Sequence, residues 1–212
     1  MTSYRVLCYG DSNTWGYVPG TGERFPRSIR WTGVLEDRLG STFEVIEEGQ
    51  NGRTTVWDDP IEGYKNGLDY LYPCLESHKP LDLVILMLGT NDLKARFSVT
   101  ASDIAESVER LVKVIKQSGC GVGGSTPMIF VAAPPPVSPQ GDLAEMFTGA
   151  REKSLSFSSR YAAMVQRIGC EFFDVGELIE VDLADGIHYD ARAHAVLGNS
   201  IADRVRSIFA GE

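Results

Sequence analysis

Apolar residues along the chain are grouped in short continuous runs. The clearest run is Leu83–Leu88, in which every residue is apolar. Four other segments have a similar character, namely Tyr4–Gly10, Phe43–Ile46, Met128–Ala133 and Glu171–Val175. Runs that are apolar throughout, rather than at every second position, are typical of strands in a sheet that is covered on both faces. The chain is therefore predicted to contain about five buried strands.

Apolar residues between these runs recur with the spacing of a helix. In Ser102–Ser118 they return every three or four positions, which places them on one helical face, and Gly119 suits the end of that helix. Further helices are predicted at Trp31–Leu39, Lys153–Ile168 and Ala191–Phe209. Strands that alternate with helices indicate βαβ units and a parallel sheet.

Composition and charge narrow the classes of function. A chain of 212 residues suits a single domain, here residues 1–212. The net charge of −9 disfavours a nucleic-acid partner or an anionic membrane surface, and no apolar run reaches the roughly 20 residues that cross a bilayer. The first residues lack the pattern of a signal peptide, and the four cysteines form no CxxC pair. We therefore expect a cytoplasmic protein without a disulfide framework.

Glycines and small polar residues follow three of the predicted strands. Gly10-Asp11-Ser12-Asn13 comes after the first strand, Glu48–Arg53 after the second and Gly89-Thr90-Asn91-Asp92 after the third. Ligands of open parallel sheets bind beyond the carboxyl ends of the strands. We therefore expect these three segments to meet at one edge of the sheet.

A serine, a histidine and an aspartate have the chemistry of a hydrolase. Ser12 follows the first strand, and a serine hydroxyl becomes a nucleophile when a base removes its proton. His188 is a candidate base because Asp185, three residues earlier, can orient its ring, with Gly186 between them to permit a turn. Each residue also has an ordinary interpretation, since Ser12 could cap a helix and the other two could belong to an exposed turn.

Three further groups could stabilise a negatively charged oxygen. Asn91 offers a side-chain amide, and Gly52 offers a backbone N–H group that no side chain obstructs. Together with the N–H group of Ser12 they would form an oxyanion hole. Taken alone, Asn91 is equally typical of a turn after a strand.

Four of these segments, taken together and in this order, resemble the SGNH hydrolases, also called the GDSL family. The segments are Gly10-Asp11-Ser12, Asn51–Thr55, Gly89-Thr90-Asn91-Asp92 and Asp185–His188. The resemblance implies a flavodoxin-like α/β fold, a three-layer α/β/α sandwich with about five parallel strands. It also implies that Ser12, His188 and Asp185 form a catalytic triad. Gly52 and Asn91 would join the Ser12 N–H group in the oxyanion hole, without a metal or a cofactor.

Longer segments resemble the mycobacterial arylesterase/acyltransferase subgroup of this family. They are Gly10–Tyr17, Arg30–Leu35, Phe43–Gly49, Arg53–Thr55, Leu81–Ile85 and Met87–Asp92. This resemblance implies a serine esterase/acyltransferase that acts on small acyl esters, acetyl or short-chain, with water, an alcohol or peroxide as acceptor, in a homo-oligomer. A carbohydrate acetylesterase and a non-catalytic binding module on the same fold are the alternatives.

Five residues, near Ser12 or in a predicted long loop at Pro134–Gly149, are candidates for the wall of a substrate pocket. They are Asn13, Trp15, Tyr17, Met146 and Phe147. The family often has leucine where this chain has Asn13, which affects the expected substrate preference. Ordinary packing in the core or at an interface is the alternative interpretation of the aromatic residues.

Other enzyme classes fit the sequence poorly. Gly119–Gly124 matches G-x-G-x-x-G, but a dinucleotide fingerprint must follow a strand and open a helix, whereas this segment follows a predicted helix. An α/β-hydrolase needs a second glycine after the nucleophile. A zinc hydrolase needs clustered ligands, and His188 and His194 are six positions apart with no cysteine nearby. We expect His194 to pack within the last helix or face solvent, and His78 to lie in a surface loop.

Overall fold

Five parallel strands form the centre of the molecule. A computed structural model describes residues 3–210. The strands are β1 (Tyr4–Gly10), β2 (Phe43–Gly49), β3 (Leu83–Met87), β4 (Met128–Ala133) and β5 (Glu171–Asp174). Their spatial order is β2-β1-β3-β4-β5, and every neighbouring pair is parallel. The predicted α/β fold with about five parallel strands is therefore confirmed.

Helices cover both faces of the sheet. They are α1 (Ser12–Trp15), α2 (Trp31–Leu39), α3 (Gly67–His78), α4 (Ala101–Gln117), α5 (Leu143–Met146), α6 (Ala150–Ser154), α7 (Phe157–Ile168) and α8 (Ala191–Ala210). One layer contains α2 packed on α8, and the other contains α4 packed on both α3 and α7. Within residues 3–210, none of these helices is long and apolar enough to span a membrane.

The apolar runs form strands because both of their faces are buried. Every residue of β3 is buried, as are the last five residues of β1. Fully burying one side chain of this kind contributes roughly 1.5–3 kcal/mol. The strands therefore form the hydrophobic core and provide a rigid base for the loops at their carboxyl ends.

The helix α4 has the local signals that its sequence predicts. Thr100 and Asp103 form a reciprocal capping box, in which the Asp103 carboxylate accepts from the Thr100 N–H at 2.7 Å and the Asp103 N–H donates to the Thr100 hydroxyl at 3.2 Å. Ile104, Leu111 and Ile115 on its apolar face are fully buried. Truncating such a residue to alanine typically costs about 2–5 kcal/mol.

The structure differs from the sequence prediction in three elements. The helix α3 was not predicted, because Pro73 lies inside it and disfavours a helical interpretation. The predicted helix Lys153–Ile168 is divided into α6 and α7, and β2 continues to Gly49. His78, expected in a surface loop, is the last residue of α3 and is half-buried.

Candidate active site

Ser12 lies at the first position of α1, directly beyond β1, which is an inner strand of the sheet. The turn between them requires glycine at position 10, since a Cβ atom there would lie 2.1 Å from the Thr14 hydroxyl and 3.0 Å from the Met87 carbonyl oxygen. Asp11 caps the short helix by accepting a hydrogen bond of 3.0 Å from the Asn13 N–H group. Ser12 is consequently held in a fixed position and is 5% exposed.

The serine hydroxyl, the imidazole and the carboxylate form a continuous hydrogen-bonded line. Ser12 Oγ lies 2.9 Å from His188 Nε2, and His188 Nδ1 lies 2.8 Å from Asp185 Oδ2. The other oxygen of Asp185 accepts from the Ile187 and His188 N–H groups, each at 2.9 Å. The Gly20 N–H donates to Oδ2 at 3.0 Å. The aspartate is therefore immobilised from three directions.

The segment that carries His188 follows β5, an edge strand that β3 and β4 separate from β1. This segment must therefore run back over the carboxyl ends of the strands to reach Ser12. The loop after β4 supports this return, because Ser138 N–H donates to the Gly186 carbonyl at 2.8 Å and Gln140 N–H to the Asp185 carbonyl at 2.9 Å. Gly186 has φ +72°, and a Cβ atom on it would lie 1.7 Å from the Ser138 carbonyl oxygen. Only glycine fits at this position.

The four sequence segments are joined by hydrogen bonds between buried groups. Asn13 Nδ2 donates to the Ile187 carbonyl at 3.3 Å, which links the serine segment to the histidine segment. Arg53 Nη1 donates to the Gly10 carbonyl at 2.8 Å. The predicted convergence at one edge of the sheet is thus observed, and it follows from the strand order, in which β1 lies between β2 and β3.

Asn91 and Gly52 lie in the loops that follow the two strands flanking β1. The Asn91 amide nitrogen is buried and has no hydrogen-bond partner among residues 3–210. Gly52 has φ +79°, a conformation that favours glycine. The two loops are fastened together by Asp92, whose carboxylate oxygens each lie 3.1 Å from the Thr55 N–H and which also accepts from the Thr55 hydroxyl.

The comparisons with known proteins decide the family. The model of the GDSL-like lipase/acylhydrolase family matches residues 8–196. The chain belongs to this family. As a GDSL acylhydrolase it is a carboxylic ester hydrolase, as its sequence resemblance predicts.

Solved structures agree with this membership of the GDSL family. A carbohydrate acetylesterase from Sinorhizobium meliloti is 43% identical with a TM-score of 0.94, over 97% of this chain and all of that one. The aryl esterase from M. smegmatis is 45% identical with a TM-score of 0.93, over 97% of this chain and 99% of that one. A second S. meliloti carbohydrate acetylesterase family member is 36% identical with a TM-score of 0.92, over 98% and 99% of the two chains. A comparison with curated protein sequences found no match.

Burial sets the electrostatics of the site in this GDSL hydrolase. Burial raises the pKa of Asp11 to about 6 and the pKa of Asp92 to about 7. Asp185 behaves differently, because the hydrogen bonds from the His188 ring and from two backbone N–H groups outweigh its burial and hold its pKa well below the ordinary value. Asp185 is therefore ionised at neutral pH. Burial also lowers the pKa of His194 to about 4, so this histidine is neutral there.

The residues predicted to wall a substrate pocket are divided by the structure. Tyr17 stacks on the His188 ring, with a centroid distance of 4.1 Å and an interplanar angle of 23°. Trp15 is half-buried, and the Arg24 guanidinium lies 5.0 Å from the centre of its ring.

The other predicted pocket residues are enclosed to a greater degree. Asn13 is 1% exposed, and its side-chain amide donates to the Ile187 carbonyl. Phe147 is buried in the hydrophobic core, and the half-buried Met146 packs against that core. The structure therefore brings Tyr17 onto the histidine and leaves Phe147 and Asn13 in packed surroundings.

Several residues that support the site of the GDSL hydrolase were not singled out from the sequence. They are Gly20, Arg53, Thr55 and Ser138, each of which bonds to a site segment distant along the chain. No local pattern identifies such a residue, because its partner becomes a neighbour only in the folded chain. His194 accepts from the Trp31 N–H at 3.2 Å and is fully buried, so of the two environments expected from the sequence it has the packed one and does not face solvent.

Proposed function

We propose that this hydrolase cleaves small acyl esters through a covalent acyl-enzyme on Ser12. The observation that carries the proposal is the line of hydrogen bonds from Ser12 Oγ to His188 Nε2 at 2.9 Å and from His188 Nδ1 to Asp185 Oδ2 at 2.8 Å. These are the distances at which a base accepts a proton from a nucleophile and is itself oriented by a third group. The acceptor of the acyl group is water in hydrolysis.

In the first step, Ser12 Oγ attacks the acyl carbonyl carbon while its proton passes to His188 Nε2. Ionised Asp185 stabilises the imidazolium that forms and keeps the remaining ring proton on Nδ1. The carbonyl π bond becomes an oxyanion. As the oxyanion collapses, the bond to the leaving alcohol breaks, and His188 gives its proton to that alcohol. Water, activated by the same histidine, then releases the acid and restores Ser12.

The N–H groups of Ser12 and Gly52 and the amide of Asn91 stabilise the oxyanion in this mechanism. A buried polar nitrogen without a partner is rare in native proteins, because leaving it unpaired costs about 1–3 kcal/mol. The Asn91 amide nitrogen is one of several such groups among residues 3–210, and it lies in the loop after β3, the strand that neighbours β1. Its orphaned state is explained if the substrate oxygen is its acceptor. One such donor typically contributes about 10²–10³ in rate.

The proposed substrates carry an acetyl or short acyl chain, and alcohols are proposed to compete with water as acceptors. The M. smegmatis aryl esterase and the S. meliloti carbohydrate acetylesterases, each at 36% identity or more, support this substrate class. The Tyr17 ring over His188 supplies an apolar face beside the reacting atoms. Acetylated sugars are the second candidate class, supported by the two acetylesterase structures.

The decisive experiment combines a serine variant with a series of esters. Ser12→Ala is expected to remove nearly all p-nitrophenyl acetate hydrolysis while keeping the melting temperature. Ser77→Ala, which changes an exposed serine on α3, is the matched control and should keep wild-type activity. A fluorophosphonate should label the wild type at Ser12 and leave Ser12→Ala unlabelled. Full activity in a folded Ser12→Ala protein would reject the mechanism.

The substrate class is tested separately with matched acyl groups. Acetyl, butyryl and octanoyl p-nitrophenyl esters measure the acyl-chain preference, and a peracetylated monosaccharide against phenyl acetate measures the preference for a sugar leaving group. We expect kcat/KM to fall with chain length. Adding a primary alcohol should divert part of the acyl group into a new ester, and an unchanged product ratio would remove the transferase part of the proposal.

The homo-oligomer expected from the sequence also belongs to this proposal. Two large apolar residues on the loop before α3 are supporting features, since Ile61 is 76% exposed and Tyr64 is 99% exposed. Light scattering is expected to give a mass that is a multiple of the chain mass. A monomer at working concentration would contradict this part of the proposal without affecting the chemistry at Ser12.

A further inference from the structure

A cysteine, a histidine and a glutamate that do not belong to the hydrogen-bonded line of Ser12, His188 and Asp185 meet between β2 and α3. We propose that Glu48, Cys74 and His78 bind a divalent transition metal of the zinc type. One ligand atom from each residue lies within 4.8 Å of the other two. His78 Nε2 is 2.8 Å from Glu48 Oε1. This site is separate from the proposed ester chemistry and does not depend on it.

The fold brings these three side chains together from two elements. Cys74 and His78 are one turn apart on α3, and side chains four positions apart lie next to each other on a helix. Glu48 on β2 is paired in register with Tyr9 on β1. The Tyr9 hydroxyl donates to the Gly67 carbonyl at the start of α3 at 2.6 Å, so α3 covers this face of the sheet.

The ligand types suit zinc. Thiolate, imidazole and carboxylate are its usual protein ligands, with bond lengths of about 2.0–2.3 Å. In a tetrahedral site such bonds place neighbouring ligand atoms roughly 3.3–3.6 Å apart. The observed separations bracket this spacing, since His78 Nε2 and Glu48 Oε1 are 2.8 Å apart and no two of the three ligand atoms are more than 4.8 Å apart. A water molecule would be the fourth ligand.

The charge around the glutamate leaves its carboxylate available. Among the residues that the structure describes, the only salt-bridge partner of the Glu48 carboxylate is His78. The guanidinium of Arg53 donates to the Glu48 backbone carbonyl and lies over the rings of Tyr9 and Tyr70, at 4.2 and 5.4 Å from their centres. Among residues 3–210, no lysine or arginine side chain therefore forms a salt bridge with the carboxylate that would bind the metal.

The site has a route to solvent. Cys74 is buried at 1% exposure, whereas the side chains of Glu48 and His78 are 19% and 28% exposed. Glu48 also lines a cavity of about 940 Å³ between the end of β2 and the start of α3. A metal ion can reach the cluster from the exposed sides of Glu48 and His78. The Cys74 thiol releases its proton to water as the metal–sulfur bond forms.

Metal binding at this position would join β2, an edge strand, to the end of α3. Because only the folded chain brings the three ligands together, binding stabilises the folded state. At a metal concentration 100-fold above the dissociation constant, the expected rise in melting temperature is roughly 5–10 °C for a chain of this size. Ester hydrolysis should change little, because the ligands are outside the proposed triad.

The test is a titration of the full-length protein with Co²⁺ or Zn²⁺ alone. One equivalent of Co²⁺ should produce a thiolate-to-cobalt charge-transfer band in the near ultraviolet, and Zn²⁺ should abolish this band by competition. Thermal unfolding with and without Zn²⁺ gives the shift in melting temperature. A folded wild-type protein with neither a band nor a shift would overturn the proposal.

Three variants assign the binding to these residues. Cys74→Ala and His78→Gln should each lower the metal affinity by at least about 100-fold, since even supporting residues around metal sites contribute 10- to 100-fold. Cys120→Ala removes another buried cysteine, outside the cluster, and should leave binding unchanged. Because the His78 side chain is partly exposed, whereas Cys74 is buried, His78→Gln is expected to fold. This variant therefore keeps the test valid if Cys74→Ala does not fold. Binding that survives in either cluster variant, or that is lost in Cys120→Ala, would also overturn the proposal.

Discussion

The buried carboxyl of Asp92 is expected to make the stability of this hydrolase depend on pH. Asp92 is fully buried, and burial raises its pKa to about 7. In the unfolded chain the pKa of an aspartate is about 3.9. The folded state therefore holds the proton more tightly, so the stabilisation is fully present below about pH 4 and is lost as the pH rises towards 7.

The size of this effect follows from the two pKa values. A difference of about three pH units corresponds to about 4 kcal/mol in total. Since the unfolded aspartate is already ionised at pH 5, about 3 kcal/mol of that loss falls between pH 5 and pH 8. Asp11 contributes a smaller loss of the same sign, because burial raises its pKa to about 6. Replacing Asp92 by asparagine removes the Asp92 part and leaves the Asp11 part.

The assay is urea unfolding of the wild type and Asp92→Asn at pH 5, 6, 7 and 8. Between pH 5 and pH 8, the free energy of unfolding of the wild type should fall by about 3 kcal/mol more than that of Asp92→Asn. Asp37→Asn changes the net charge equally at an exposed position on α2 and serves as the control. A difference between variant and wild type that stays constant from pH 5 to pH 8 would refute the reasoning.

The same variant tests whether Asp92 positions the proposed oxyanion donors. Asparagine can still accept from the Thr55 N–H, but it loses one of the acceptor oxygens that fasten the Gly52 loop to the Asn91 loop. We expect kcat to fall about 10-fold with little change in KM, because the misplaced donors act on the transition state. A rise in KM with unchanged kcat would instead assign Asp92 to substrate binding.

Three other predictions concern the site. Asn91→Ala should lower kcat for p-nitrophenyl acetate by about 10²–10³ with little effect on KM, and a loss below about 3-fold would remove Asn91 from the oxyanion hole. Asp185→Asn should reduce kcat by about 10³–10⁴, because the His188 tautomer is no longer held; wild-type kcat in a folded Asp185→Asn protein would contradict its role. Gly186→Ala should both unfold the protein at lower urea and abolish activity, since its Cβ atom would lie 1.7 Å from the Ser138 carbonyl oxygen. A stable and active Gly186→Ala protein would show that the loop can move aside.

Much of the fold was predictable because its signals are local. Continuous apolar runs such as Leu83–Leu88 are typical of a strand that is buried on both sides, and β3 has that environment. The spacing of Ile104, Leu111 and Ile115 allows only one helical face, which α4 buries. Helix α3 escaped prediction because Pro73 lies inside it, whereas tertiary packing of its buried residues Leu71, Cys74 and Leu75 stabilises the helix.

The candidate site was predictable to the extent that its residues stand in short motifs. The segments around Ser12, Gly52, Asn91 and His188 contain the residue types of the chemistry, and their order along the chain pointed to the GDSL family. Which side chains then support them was not predictable. The bond from Gly20 to the carboxylate of Asp185, 165 positions away, has no signature in the sequence near either residue.

The sequence by itself determined the strands, the main helices, the family and the residue types of the reaction, because these depend on neighbours along the chain. Only the tertiary structure decided that Asn13 is enclosed as a tie to Ile187, that Phe147 is in the core, and that Asp92 has a raised pKa. Burial, hydrogen-bond partners and pKa values depend on groups that are distant in the chain and adjacent in space. The packing of loops over the end of the sheet sets these properties.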